Sequence, residues 1–126
     1  MKKEAIVTNN APGAVGPYSQ AIKSGNLLFC SGQIGMDPVS KKVVDGGVTA
    51  QAEQIFKNIK AVLEAAGASM QNIVKATVFL KDMGNFKTVN EIYAQQFEQP
   101  FPARSAVAVK DLPLSVDIEI EVIAML

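Results

Sequence analysis

Arginine occurs once in the 126-residue sequence, at Arg104, two residues after Pro102. Pro102 keeps the approach extended and leads into an apolar strand, in which Arg104 shares a face with Ala106. The small neighbour leaves room for the arginine to lie over a cavity. Because a planar guanidinium grips a carboxylate with two parallel hydrogen bonds, Arg104 is a candidate ligand-binding group. The alternative is a structural ion pair with Glu119 or Glu121.

Glu119 and Glu121 lie two residues apart in the last predicted strand and therefore share a face. Two neighbouring carboxylates can divide the labour of acid–base chemistry, one kept near neutral and the other ionised. The alternative is a pair of solvated strand positions. The same face carries Ile123 and Met125, and apolar residues beside acids on a sheet surface indicate a subunit interface. We therefore expect an oligomer.

Ser31 begins the segment SGQIG, in which Gly32 and Gly35 permit a close backbone approach or positive φ. The main-chain N–H groups exposed in this way could bind an anion or a carbonyl, and the alternative is a tight turn.

Tyr18 offers a phenol at the start of a strand, where it could act as a catalytic donor, and the alternative is a half-buried packing residue. The single cysteine, Cys30, is interpreted as a small buried hydrophobic residue.

The composition of the chain excludes several kinds of catalytic and metal site. The chain has 12 basic and 12 acidic residues, no histidine and one cysteine. These counts exclude Ser-His-Asp and Cys-His dyads, histidine-rich zinc sites and an intrachain disulfide, and the balanced charge argues against a nucleic-acid partner. No run approaches the roughly 18–20 apolar residues of a membrane span. With 48% hydrophobic and 19% charged residues, the sequence predicts one soluble domain over residues 1–126, in the cytoplasm.

Two segments predict helices. The first has an apolar stripe at spacings of three and four between Ala52 and Ala66, with Thr49 as its N-cap and Gly67 at its C-terminal end. The second repeats that spacing before Pro100 with Phe86, Val89, Ile92, Tyr93 and Phe97.

Five segments predict strands: residues 19–23, 26–31, 73–80, 105–109 and 116–125. Ser24-Gly25 predicts a hairpin turn between the first two. The last strand alternates most clearly, with one apolar face made of Val116, Ile118, Ile120, Val122 and Ala124. The order β-β-α-β-α-β-β predicts an α+β fold, a mixed sheet with two helices packed on one face.

Short motifs along the whole chain resemble those of the Rid/YjgF family in order and spacing. The motifs are Ala11-Pro12, Gly16-Pro17-Tyr18-Ser19-Gln20, Ser31-Gly32-Gln33-Ile34, residues 74–80, Val89-Asn90, Phe101-Pro102-Ala103-Arg104-Ser105 and Ile118-Glu119-Ile120-Glu121. Each is short, but together they are specific. They are most similar to the RidA branch, the reactive intermediate deaminases.

The resemblance implies a chorismate-mutase-like (YjgF) fold in which three chains form a homotrimeric barrel, with the helices outside and the active clefts between subunits. Members of this branch are enzymes that hydrolyse reactive 2-enamine and 2-imine intermediates, such as 2-aminoacrylate/2-iminopropanoate and 2-iminobutanoate, to 2-oxo acids and ammonia. No metal or organic cofactor is implied. The implied partners are the small imino acid substrates and further copies of the chain.

The resemblance also implies roles for individual residues. Arg104 matches the arginine that holds the substrate carboxylate, and Glu119 matches the glutamate that orients or deprotonates the attacking water. Tyr18 and Ser31 match a tyrosine and a hydroxyl residue that line the cleft. The family commonly has a cysteine two residues after the arginine, where this chain has Ala106. Alanine suffices there if only backbone and volume matter, whereas a required thiol would leave activity impaired.

Two other functions are weighed against the deaminase. A regulatory or chaperone-like module could bind a small carboxylate or keto acid in the same cleft without turnover. Ribonuclease activity is ascribed to some relatives, but zero net charge and the lack of histidine argue against it.

Overall fold

A six-stranded mixed sheet carries the fold in the computed structural model, which describes residues 2–126. The strands are β1 (Lys3–Ile6), β2 (Ala21–Ser24), β3 (Leu27–Gln33), β4 (Ile73–Leu80), β5 (Ala103–Ala108) and β6 (Ile118–Met125). The helices are α1 (Gly47–Ala65) and α2 (Phe86–Gln95), with short 3-10 turns at Met70–Asn72, Met83–Asn85 and Pro113–Ser115. The spatial order is β1-β2-β3-β6-β4-β5, and β4 and β5 are the parallel pair. The predicted α+β class is confirmed.

Alternate residues of strand β6 lie on the two different faces of the sheet. Its even-numbered residues, from Ile118 to Ala124, are buried in the core together with the apolar stripe of α1. Its odd-numbered residues lie on the face opposite the helices, where Glu121 and Met125 are exposed. The alternation predicted from the sequence is therefore confirmed, and so is the packing of both helices on one face.

Helix α1 carries the predicted apolar stripe, but it begins earlier than predicted. Gly46 and Gly47 turn the chain into the helix with φ of 114° and 71°, values that suit glycine. The prediction of Thr49 as N-cap is wrong, because Thr49 lies inside the first turn. At the other end Gly67 adopts φ 78° and donates its N–H to the Glu64 carbonyl, as a C-terminal glycine should.

Other elements also differ from the sequence prediction, and strands β2, β3, β5 and β6 each start one or two residues away from their predicted first residue. Strand β1 was not predicted, because this edge strand buries only Ile6 and shows no alternation. The hairpin turn is formed by Gly25 and Asn26, since Ser24 already pairs with Leu27 across the two strands. Helix α2 ends at Gln95 and not at Pro100.

Candidate active site

Arg104 lies on β5 and faces helix α2. Its register partner on β4 is the fully buried Ala76, which places Arg104 on the helix-covered side of the sheet. Its Nη1 donates a 2.7 Å hydrogen bond to Oδ1 of Asn90. The guanidinium carbon lies 4.7 Å from the centre of the Tyr93 ring and 5.3 Å from the centre of the Phe86 ring. One polar group and two aromatic rings of α2 therefore fix the position of this side chain.

An open cleft of about 400 Å³ extends from Arg104, which confirms that the arginine borders a cavity. Its lining residues are Asn90, Tyr93, Ala94, Phe101, Pro102 and Arg104. Ala106 shares the face of Arg104 but packs against the hydrophobic core. Within one copy of the chain Arg104 forms no ion pair with Glu119 or Glu121, because both acids point to the other face of the sheet.

Glu119 lies on β6, opposite Phe79 of β4, on the face that the helices leave uncovered. Its carboxylate rests against the backbone of Gly32. A β-carbon placed on Gly32 would overlap Oε2 of Glu119 and lie 2.9 Å from its Cδ. The register between β3 and β6 shifts between Cys30 and Gln33, and this bulge contains Gly32. The glycine is thus required for close approach.

The pKa of Glu119 is raised above its ordinary value. The larger cause is partial burial, which disfavours the charged carboxylate, and the smaller one is the negative charge of Glu121 on the same strand face. A raised pKa makes the ionised carboxylate a stronger base, which favours its acting as a proton acceptor.

A second cleft, of about 320 Å³, opens beside Gly32. It is largely apolar and includes Pro12, Val15, Tyr18, Ile34, Met36 and Leu114 in its lining. Tyr18 is 52% exposed, and its ring forms part of the wall. The Ser31 hydroxyl donates a 2.6 Å hydrogen bond to the carbonyl of Ser19, and this bond fastens β3 to the segment that carries Tyr18. Leu114 adopts φ 53°, a left-handed conformation that disfavours leucine.

Two buried amide side chains shape this second cleft, and neither was predicted from the sequence to have this role. The Gln20 carboxamide accepts from the N–H of Thr8 at 2.8 Å and donates to the carbonyls of Thr8 at 3.0 Å and Pro12 at 2.8 Å. Asn58 of α1 donates to the carbonyls of Ile34 and Met36, at 3.3 and 2.9 Å. Both amides thus hold loop carbonyls that would otherwise need water.

A family model described as endoribonuclease L-PSP matches residues 8–126. The chain belongs to this Rid/YjgF family. It is 52% identical to reactive intermediate deaminase A of Arabidopsis thaliana over 100% of this chain and 67% of the plant protein. It is 50% identical to 2-iminobutanoate/2-iminopropanoate deaminase of Homo sapiens over 98% of this chain and 90% of the human protein.

The fold is that of the same family. A crystal structure of a Rid family protein of unknown function from Yersinia pestis superposes with a TM-score of 0.97 at 46% identity. The superposition covers 99% of this chain and 100% of the other. Across residues 2–126 of this Rid chain, no helix is long and apolar enough to cross a membrane.

In this Rid family chain the candidate residues fall into two groups on opposite faces of the sheet. The first group is Arg104 with Asn90, Phe86 and Tyr93 of α2. Val89-Asn90 is one of the family motifs in the sequence, but nothing in the sequence indicates that Asn90 binds the arginine. The second group is Tyr18, Ser31, Gly32 and Glu119: Tyr18 and Gly32 line the second cleft, Glu119 rests against Gly32, and Ser31 bonds the segment that carries Tyr18. One copy of the chain does not bring the two groups together.

Cys30 belongs to neither group. It lies on β3, which pairs with β2 and β6, and its side chain is buried in the core, where burial raises the pKa of the thiol to about 12. A thiol with that pKa stays protonated at neutral pH and is a poor nucleophile. Its interpretation as a small buried hydrophobic residue is confirmed.

Proposed function

We propose that this chain hydrolyses reactive 2-imines and their 2-enamine tautomers, including 2-iminobutanoate and 2-iminopropanoate, to 2-oxo acids and ammonia. The observation that carries the proposal is the 50% identity, over 98% of this chain, to a human protein that bears the name of this activity. The geometry of the two residue groups supplies a physical account of how the reaction proceeds. We assign the activity to the cytoplasm, where the lone thiol of Cys30 stays reduced.

Arg104 binds the substrate carboxylate. Asn90 accepts a hydrogen bond from Nη1, and the remaining guanidinium N–H groups are available to the adjacent cleft. A charge-assisted contact of this kind contributes about 1.5–3 kcal/mol. Ala106 packs against the core two residues further on, so its contribution is shape and not a reactive group.

Glu119 activates the water. As the water oxygen attacks the imine carbon, the Glu119 carboxylate takes one water proton and passes it to the imine nitrogen, which gives a carbinolamine. The carboxylate then takes the hydroxyl proton of that intermediate and delivers it to the amine nitrogen, so that the C–N bond breaks, the 2-oxo acid forms, ammonia leaves and the carboxylate is regenerated. Imines are electrophilic, so a positioned base worth roughly 10²–10⁴-fold and the orientation of substrate and water are sufficient.

The complete site is formed by two neighbouring copies in a homotrimer. Arg104 of one copy and Glu119 of the next, with Tyr18 and Ser31 beside it, would face a common substrate. Two observations support this assembly: the two groups lie on opposite faces of one sheet, and the face that the helices leave uncovered exposes large apolar residues. These residues are Phe29, Val107 and Met125, each exposed by more than 40%.

The test uses freshly generated 2-iminobutanoate, with release of 2-oxobutanoate followed over the spontaneous rate. Wild type should accelerate hydrolysis, and Arg104→Ala should lower kcat/KM roughly 10- to 100-fold, mainly through KM. Lys110→Ala removes an exposed cation just beyond β5 and serves as the control. A wild type that gives no acceleration, but is stabilised by 2-oxobutanoate, would instead favour the carboxylate-binding module.

A further inference from the structure

Tyr93 contributes its aromatic ring, and not its hydroxyl group, to the contacts around Arg104. The side chain is only 4% exposed, and among residues 2–126 its hydroxyl finds no hydrogen-bond partner. One side of the ring packs against the aromatic cluster of Phe56 and Phe97, at centroid distances of 6.0 and 4.7 Å. The guanidinium of Arg104 lies over the same ring at 4.7 Å.

Phe86, Asn90 and Tyr93 follow one another on α2 at spacings of four and three residues, so they occupy one face of the helix. Phe86 contributes a second ring at 5.3 Å from the guanidinium carbon, and Asn90 takes one of its N–H groups. The three residues form a cradle, defined here as Phe86, Asn90 and Tyr93, that contacts the arginine from one helix.

We propose that the rings of Phe86 and Tyr93 are positioning residues that fix the guanidinium plane of Arg104, so that its free N–H groups are directed into the cleft. An arginine side chain on an exposed strand has many rotamers, and binding a carboxylate requires it to lose them. Aromatic faces attract a guanidinium and restrict it before the ligand arrives, which raises affinity by lowering that cost. This inference rests on the proposed role of Arg104 in carboxylate binding.

The chain offers a direct readout, because Arg104 is its only arginine. In a 15N-labelled sample the folded protein therefore has one arginine Nε–H resonance, whose relaxation reports the mobility of that side chain without any ligand. In wild type and Tyr93→Phe the Nε–H order parameter should be high and equal. In Phe86→Leu and Tyr93→Leu it should fall, because one ring face is lost.

The same variants are then titrated with 2-oxobutanoate by calorimetry, which requires no turnover. We expect Tyr93→Phe to bind like wild type, and Phe86→Leu and Tyr93→Leu to bind roughly two- to tenfold more weakly. Phe97→Leu is the matched control, since Phe97 belongs to the same aromatic cluster but does not lie over Arg104. It should lower the melting temperature and leave both readouts unchanged.

Phe86→Leu keeps the test decisive if Tyr93→Leu fails to fold, because Phe86 is only partly buried. Equal order parameters and equal affinities in wild type and Phe86→Leu would overturn the inference, as would an equal loss in Phe97→Leu. A wild type that binds no 2-oxobutanoate would overturn it as well. If the variants rank as expected but wild type does not accelerate imine hydrolysis, the deaminase proposal fails and the positioning role stands.

Discussion

Arg104 and Glu119 lie on opposite faces of the same sheet, with strand β4 between their strands. Arg104 is in register with Ala76, which faces the helices, whereas Glu119 is opposite Phe79 on the uncovered face. A small imino acid cannot contact both side chains of one copy through a close-packed sheet. Any reaction that uses both groups requires two copies of the chain.

The first prediction follows from this separation. Arg104→Ala and Glu119→Gln should each lower kcat/KM alone, but chains co-expressed with different tags and purified through both should recover part of the lost activity. In a trimer that contains both variants, one of the three sites combines an intact arginine from one copy with an intact glutamate from the next, because the interface is heterologous. Imine hydrolysis by the doubly tagged protein measures this recovery.

Doubly tagged assemblies of a single variant provide the background for that experiment. If the mixed assembly is no more active than these, the two residues do not act in a shared site between subunits.

Gly32→Ala should disable the base without touching the arginine. The added β-carbon would overlap the Glu119 carboxylate, which must then move away from Gly32. We expect kcat to fall by roughly 10²-fold, the lower end of what a general base provides, while affinity for 2-oxobutanoate is retained. Gly13→Ala is the control, because a β-carbon there meets nothing within 4 Å. Equal kcat values for the two variants would contradict the proposed role of Glu119.

The pH dependence of kcat/KM should report Glu119. The residue must be a carboxylate to accept a proton, so activity should rise with pH as it ionises, and its raised pKa places that rise above the ordinary range of glutamate. Glu121→Gln removes the neighbouring negative charge, which lowers the pKa of Glu119 and moves the rise to lower pH. Glu53→Gln, on the exposed face of α1, should leave the profile in place. A profile that Glu121→Gln shifts upward, or not at all, would contradict this assignment.

The left-handed backbone at Leu114 predicts a gain in stability. Leucine at φ 53° costs about 1–2 kcal/mol, and glycine adopts the same conformation freely at the expense of about 0.5–1 kcal/mol of chain entropy. Leu114→Gly should therefore raise the free energy of unfolding in urea by about 0.5–1 kcal/mol. Leu114→Ala removes the same exposed side chain but keeps the strain, so it should match wild type. A glycine variant no more stable than the alanine variant would show that the strain is not relieved.

Cys30 should resist alkylation in the native protein. Its thiol is buried and has its pKa raised to about 12, so almost no thiolate exists at pH 8. Intact mass after treatment with iodoacetamide should show no adduct on the folded protein and one adduct in denaturant. Labelling of the native chain at the denatured rate would mean that β3 opens on the time scale of the reaction.

Local patterns in the sequence were sufficient to predict the helices and strands that bury a regular apolar stripe. The alternation of β6 and the stripe of α1 each encode one buried face, because a period of two or 3.6 residues leaves little choice of orientation. Strand β1 has no such pattern, since it exposes three of its four residues. Its existence depends on pairing with β2, which is a long-range property.

The site was predictable only as far as residue types allow. Arg104 and Glu119 stand out by their chemistry, but their placement on opposite faces depends on a strand order that brings β6 between β3 and β4. The contact between Gly32 and Glu119 depends on a register shift that no single segment encodes. Phe86 and Tyr93 of the cradle were predicted as part of an apolar helix face, and only the packing of α2 over β5 shows that they contact the arginine.

Asn58 couples the mobility of the second cleft to the stability of the protein interior. Its amide reaches from the buried face of α1 to the carbonyls of Ile34 and Met36, which form one wall of that cleft. Opening this wall would leave the Nδ2 group of the almost fully buried Asn58 without its two carbonyl acceptors, so the wall and the helix belong to one cooperative unit. We therefore expect this wall of the second cleft to keep its shape for as long as helix α1 stays folded.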